Sequence, residues 1–182
     1  MSTATVTPSG IAPSLRRLYF VRFGFALIWA AALVATMSKL NPLSVTLLVL
    51  YPVFDVAAAV VDARSAKDTK PGLYMNMAIS LLAGIGLALA ASSGIHGVLR
   101  VWGIWAIVSG LIQLAVALAR RGLGGQWPMI VSGAISTVAG ASFIVQAAQP
   151  NASLTALAGY ATLGGIFFLV SAIRLGRVTK KD

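Results

Sequence analysis

The sequence predicts an all-α integral membrane protein with six transmembrane helices, arranged as three consecutive hairpins with both termini in the cytoplasm. Of its 182 residues, 58% are apolar and only 10% are charged, and the mean hydropathy is +0.89. A soluble domain carries about 25% charged residues, and a small one keeps too much surface exposed to hide so many apolar side chains. The composition therefore excludes a soluble enzyme and a disordered chain, and the lack of cysteine excludes disulfide scaffolds, thiol catalysis and thiolate metal sites.

Six stretches are long and apolar enough to cross a bilayer, which takes about 20 helical residues. We predict helices at about 18–38, 42–61, 73–93, 98–119, 127–148 and 152–173. They form a transmembrane domain of residues 16–176, between a tail at 1–15 that is expected to be disordered and a basic tail at 177–182. Short, nearly uncharged connectors alternate with longer basic ones, and this alternation indicates the three hairpins.

The orientation follows from the positions of the Lys and Arg residues, which favour the cytoplasmic side of a membrane. Of the 14 basic residues, only Lys39 and Arg100 fall on the other side. The remaining ones are Arg16, Arg17, Arg22, Arg64, Lys67, Lys70, Arg120, Arg121, Arg174, Arg177, Lys180 and Lys181. The net charge of +10 is thus explained as a topology signal rather than a nucleic-acid site. Contacts with anionic lipid headgroups on the cytoplasmic side are an additional expectation.

Helices three to six contain the same hairpin motif twice. The run Ile79–Gly84 (ISLLAG) matches Ile135–Gly140 (ISTVAG), and Trp105–Gly110 (WAIVSG) matches Tyr160–Gly165 (YATLGG). Because both copies run in the same direction, we predict a parallel internal repeat.

Small residues recur at helical spacing along these motifs, and such stripes let membrane helices approach closely. The residues concerned are Ser80, Gly84, Gly103, Gly110, Ser132, Ser136, Gly140 and Gly165. Two interpretations remain open: packing within one chain, or the seam of a homo-oligomer.

With these tandem motifs the chain resembles the HdeD-like acid-resistance membrane proteins, a family of six-helix bacterial inner-membrane proteins. The resemblance covers roughly residues 43–174. It implies a multi-pass protein of the bacterial inner membrane, with a role in tolerance of acid or envelope stress through protein or lipid contacts. It implies no catalytic residue and no cofactor.

Asp55 is the most informative single residue, because an acid inside a membrane span is costly and marks a candidate functional site. Arg22 lies at a comparable depth in the first helix, so an ion pair is sterically reasonable. Tyr51 and Asp62 lie on the same face of the second helix as Asp55. The group is interpreted as a proton-responsive or ion-coordinating site, a structural salt bridge, or a solvated vestibule.

At the opposite end, His96 and Arg100 lie one helical turn apart and form a candidate site for sensing periplasmic pH. Nearby, Trp102 and Trp105 are expected in the aromatic belt at the outer interface, whereas Trp29 is expected inside the bundle.

No Ser/His/Asp set and no cluster of metal ligands is present in the sequence, so neither an enzyme nor a metal site is expected. The leading functional hypothesis is a non-enzymatic stress-tolerance protein that acts by helix-mediated protein or lipid interaction, including self-association. The alternative is a small transporter or channel with a polar path at Asp55 and Arg22.

Overall fold

The computed structural model contains helices, turns and loops but no strand in the residues it describes, which are 11–36, 40–66 and 69–178. It contains six α-helices, as the hydropathy pattern predicts. They are α1 (Ile11–Thr36), α2 (Pro42–Ser65), α3 (Lys70–Ala90), α4 (Gly94–Ala119), α5 (Trp127–Gln146) and α6 (Thr155–Val178).

Several helices extend past the boundaries predicted from hydropathy. The first helix begins at Ile11, so the prediction that residues 11–15 belong to a disordered tail is wrong. The second continues to Ser65 and the sixth to Val178, which includes residues assigned to a basic tail. The apolar span ends at the first charged residue, whereas the backbone hydrogen-bond ladder continues beyond it. The rest of both predicted tails, and Lys39 and Lys67, lie outside the described residues.

Local signals in the sequence explain where the helices start. Asn41 caps α2: its side chain accepts the Ser44 backbone N–H at 2.9 Å, while Ser44 Oγ accepts the Asn41 N–H at 2.9 Å. Helices α2, α3 and α5 each have a proline in the first turn, where the missing N–H costs nothing. A short turn at Ala91–Ser93 joins α3 to α4, and Gly94 there has a φ of 72°, which favours glycine.

The six helices form a closed ring in chain order, because each packs against the next and α6 packs against α1. The most extensive contacts join successive hairpins: α2 with α3, α4 with α5, and α6 with α1. We call the end of the ring where α1, α3 and α5 begin the basic end, because it carries the exposed residues Arg16, Arg17, Arg64, Lys70, Arg121, Arg174 and Arg177.

The outer surface of the ring is strongly apolar. Side chains such as Ile28, Leu89 and Val138 are more than 70% exposed to the surroundings. Five segments are long and apolar enough to span a membrane, and one of them, Lys70–Ala119, contains both α3 and α4. Soluble proteins rarely expose such continuous apolar surface, so the fold is that of a membrane protein.

Candidate functional site

A cavity of about 100 Å³ lies inside the ring, in the half nearer the basic end, and all six helices line it. One water needs roughly 10–15 Å³ of such space, whereas pockets for organic ligands hold about 300–1,000 Å³. The cavity therefore suits a few waters or a small solute. Its polar lining residues are Tyr19, Arg22, Tyr51, Asp55, Asp62, Asn76, Ser109, Gln113, Arg120, Gln126, Ser132, Ser136 and Tyr160.

Asp55 anchors a buried polar network on one wall of the cavity. Arg22 Nη2 of α1 donates to its Oδ1, while Asn76 Nδ2 and Ser80 Oγ of α3 donate to its Oδ2 at 2.6 and 2.9 Å. The Asp55 residue is only 6% exposed, so these three donors replace the water that an ionised carboxylate would otherwise bind. The Arg22 guanidinium also lies 4.4 Å from the centre of the Phe168 ring, which connects the network to α6.

Two hydrogen bonds occupy matching positions of the predicted repeat. Trp105 Nε1 of α4 donates to Ser80 Oγ at 3.0 Å, and Tyr160 Oη of α6 donates to Ser136 Oγ at 3.0 Å. In both hairpins the aromatic residue of the second helix thus bonds to the serine of the first. The Ser80 hydroxyl also donates to Asp55, so it links Asp55 of α2 to Trp105 of α4.

A second ion pair lies in the cavity wall close to the basic end. Arg120 donates to both carboxylate oxygens of Asp62, at 2.7 and 2.8 Å, and also to Thr69 Oγ1 at 2.8 and 3.2 Å. From the sequence alone Arg120 is interpreted only as a topology signal, but the residue is 6% exposed and lines the cavity. Asp62 lines the cavity together with Asp55, but its partner is Arg120.

Four aromatic side chains pack together at one end of the cavity, namely Trp29, Tyr51, Trp102 and Trp105. The Trp102 ring lies 5.4 Å from Trp29, 5.6 Å from Tyr51 and 5.2 Å from Trp105, measured between ring centres. The expectation that Trp102 and Trp105 face the outer interface is wrong, because they are 0% and 5% exposed. Both residues lie on the face of α4 that points into the helix ring. There the packing of their large aromatic side chains outweighs the preference of tryptophan for the membrane interface.

The small-residue stripes are used for packing within one chain. All eight residues named from the sequence are buried in the single chain. Helices α4 and α5 approach each other closely along their glycines: a Cβ built on Gly110 would lie 2.8 Å from the carbonyl oxygen of Gly133. On α6, a Cβ built on Gly165 would lie 3.1 Å from Ala26 Cβ of α1. The chain's own helices cover these residues, which supports the interpretation of packing within one chain, and the oligomer seam stays a prediction.

His96 and Arg100 lie at the other end of the ring, away from the cavity. Both side chains are exposed, and His96 Nε2 lies 3.2 Å from the backbone oxygen of Gln149. No hydrogen bond or ion pair among the described residues joins this pair to the Asp55 network, and its role in pH sensing stays a prediction.

Sequence reasoning missed several polar residues that line the cavity, namely Asn76, Ser109, Gln113, Arg120 and Gln126. Helical spacing gives a signal for one of them. Gln113 and Val116 of α4 and Arg120, which directly follows its last residue, recur at i, i+3 and i+7, and this spacing places them on one face. In the sequence, this helical spacing is what distinguishes Arg120, which lines the cavity, from its exposed neighbour Arg121.

No protein-family model, curated protein or solved structure matches the chain. Within the described ranges, no group of three or more His, Cys, Asp or Glu side chains is placed to hold a metal ion.

Proposed function

We propose that this protein is a non-enzymatic membrane protein that carries a small polar solute across the bilayer through the cavity inside its helix ring. The observation that supports this function is the distribution of polarity. The outside of the ring is apolar, while two ion pairs and further polar side chains from the helices face one internal cavity. Polar and charged groups are expensive inside a membrane, and they characteristically mark solute or ion pathways.

The proposal includes six membrane spans with both termini on the basic side, the cytoplasmic side of a bacterial inner membrane. The 50-residue segment Lys70–Ala119 is too long for one span, since a helix of that length measures ~75 Å and the hydrocarbon core is about 30 Å thick. The contact between α3 and α4 supports two separate spans around the turn at Ala91–Ser93. The exposed basic residues at one end support the orientation.

The leading hypothesis from the sequence is action by helix-mediated protein or lipid interaction, with the small-residue stripes as one candidate contact surface. Because those stripes are covered within the chain, the cavity is the better-supported site of action. The role in acid or envelope stress that the HdeD-like resemblance implies stays a prediction. Transport of a small solute is compatible with such a role.

The test is solute flux into lipid vesicles that contain the purified protein. Gly164 lines the cavity, and a Cβ built on it meets no atom within 4 Å, so Gly164→Leu should fill the cavity without displacing a helix. The matched control is Gly159→Leu on the exposed face of the same helix, where a Cβ also meets nothing within 4 Å.

We expect vesicles with the unaltered protein to admit small polar solutes faster than protein-free vesicles. Gly164→Leu should abolish this excess flux, and Gly159→Leu should retain it. The proposal is overturned if no solute in a panel of small anions, cations and neutral molecules crosses faster than in protein-free vesicles. It is also overturned if Gly164→Leu leaves the flux unchanged.

A further inference from the structure

The charged side chains that line the cavity cancel one another in two ion pairs. Arg22 donates to Asp55, and Arg120 donates to both carboxylate oxygens of Asp62. The other lining residues within the described ranges carry no charge at neutral pH, the tyrosines included. Each charge thus has a partner of opposite sign, and the lining as a whole presents no net charge to a solute inside it.

An ion that entered this cavity would add a charge that no side chain there balances. A charged group inside a membrane is costly unless a partner of opposite sign lies beside it. Both guanidiniums already contact carboxylates, so neither is a free cation for an anion. For the same reason neither carboxylate is a free anion for a cation. The paired charges therefore favour an uncharged solute.

Two amide side chains in the cavity wall keep both kinds of hydrogen-bonding group available. Asn76 Nδ2 donates to Asp55 at 2.6 Å, and Gln113 Nε2 donates to the backbone oxygen of Met129 at 3.2 Å. In the described part of the chain these two amides have no other hydrogen bond. An amide nitrogen carries two hydrogens and an amide oxygen accepts. Each amide therefore retains one N–H donor and its oxygen acceptor.

The hydroxyl groups of the lining have the same mixed character. Ser109 donates to the backbone oxygen of Trp105 at 2.6 Å, and Ser136 accepts from Tyr160 at 3.0 Å. A hydroxyl both donates and accepts, so Ser109 can accept a further bond and Ser136 can donate one. A solute that only accepts, such as nitrate, or only donates, such as an ammonium ion, satisfies one kind of group and leaves the other unpaired. A molecule that does both matches the lining.

The charges around the basic end restrict ions further. Among the described residues, the exposed charged side chains at this end are all basic. A surface of one sign lowers the local concentration of ions of the same sign, so cations are disfavoured at the approach to the cavity. Anions gather there, but they meet no free cation inside.

We infer that the cavity takes up a small uncharged molecule that both donates and accepts hydrogen bonds, of about the size of urea, and admits ions of either sign more slowly. This inference rests on the proposed function and names the chemical class of its solute. The volume of about 100 Å³ is several times the space that one water needs and smaller than a pocket for a larger organic ligand.

The test compares the entry of urea, guanidinium and nitrate into vesicles that contain the full-length protein. These three solutes are planar and similar in size, and they differ in charge. We expect urea, at a low millimolar concentration, to cross with an excess flux over protein-free vesicles that Gly164→Leu abolishes and Gly159→Leu retains. The excess fluxes of the two ions should be lower by at least about tenfold, because an unbalanced charge inside a membrane costs more than the free energy that this factor represents.

Charge variants test the cause of this order. Asp55→Asn leaves Arg22 without its carboxylate and should raise nitrate flux relative to urea, whereas Arg22→Gln leaves Asp55 without its cation and should raise guanidinium flux relative to urea. Each single variant contains an unbalanced buried charge, which destabilises the fold. The double variant Arg22→Gln with Asp55→Asn contains none, and it should restore the order with urea first. Arg121→Gln, which removes an exposed cation, should leave the order unchanged.

The inference is overturned if guanidinium or nitrate crosses as fast as urea by the route that Gly164→Leu blocks. The proposed function then still stands, because a small polar solute crosses. The inference is also overturned if both single variants fold and keep urea first, or if the folded double variant admits ions as fast as urea. If no solute crosses faster than in protein-free vesicles, the proposed function fails and the inference fails with it.

Discussion

Gly103 of α4 and Gly140 of α5 lie in direct backbone contact. A Cβ built on Gly140 would stand 2.5 Å from the carbonyl oxygen of Gly103, and one built on Gly103 would stand 2.7 Å from the carbonyl oxygen of Gly140. Real Cβ atoms do not approach so closely, so a methyl group on either residue must push the two helices apart. This contact holds two of the three predicted hairpins together.

Gly140→Ala should therefore destabilise the protein by about 1–3 kcal/mol, the usual cost of overpacking a close contact. Thermal unfolding of the purified protein in detergent measures it. The control is Gly159→Ala on the exposed face of α6, where a Cβ meets no atom within 4 Å. Helix propensity alone predicts that this control is stabilised by up to about 1 kcal/mol. Equal effects of both substitutions would contradict the close α4–α5 contact.

Ser80→Ala should cost more stability than Ser136→Ala, although the two serines hold matching positions in the predicted repeat. Loss of the Ser80 hydroxyl leaves both Trp105 Nε1 and one acceptor site of Asp55 without a partner, whereas Ser136 serves only Tyr160. A buried polar group without a partner costs about 1–3 kcal/mol. Unfolding temperatures of the two variants, measured side by side, check this order. The reverse order would show that the Asp55 network does not run through Ser80.

Arg120→Gln should destabilise the protein by up to about 3–5 kcal/mol, because it leaves the Asp62 carboxylate, whose side chain is only 12% exposed, without its cation. The double variant Asp62→Asn with Arg120→Gln should recover most of that loss, since no lone charge remains. Arg121→Gln, one residue further along and exposed, should change stability by less than about 0.5 kcal/mol. If Arg120→Gln alone is as stable as the double variant, Asp62 has access to water in the native protein.

The helices were predictable from the sequence because each apolar stretch is long enough to be identified as a helix without knowing which helices pack against it. The glycine contacts were partly predictable for the same reason, since Gly103 and Gly110 recur on one face of α4. The pattern could not tell a contact within the chain from one between chains, because spacing along a helix does not identify the opposing surface.

Closure of the ring and the composition of the cavity were not predictable in this way. The contact of α1 with α6 joins the two ends of the described chain, and no local pattern encodes it. For the same reason Arg120, which pairs with Asp62 from a distant helix, resembles any other basic residue at a helix end. Trp102 was misplaced because an interfacial tryptophan and a core tryptophan look alike until the neighbouring helices are known.

The central claim, that the internal cavity is reached by small polar species from the basic end, is tested most directly with single cysteines. The chain has no cysteine of its own, so Ser132→Cys and the control Val138→Cys introduce one thiol each on the same helix. Ser132 lines the cavity, while the Val138 residue is 71% exposed on the apolar outer surface. Silver ion, which is small enough for the cavity, is added to the side of the membrane that carries Arg121. Free thiols are then counted after unfolding.

We predict that the thiol of Ser132→Cys is blocked by silver added on that side, and that Gly164→Leu in the same chain protects it. The thiol of Val138→Cys, facing lipid, should remain free. If the Ser132→Cys thiol stays as unreactive as that of Val138→Cys, the cavity is closed to the aqueous phase and the proposed pathway is contradicted.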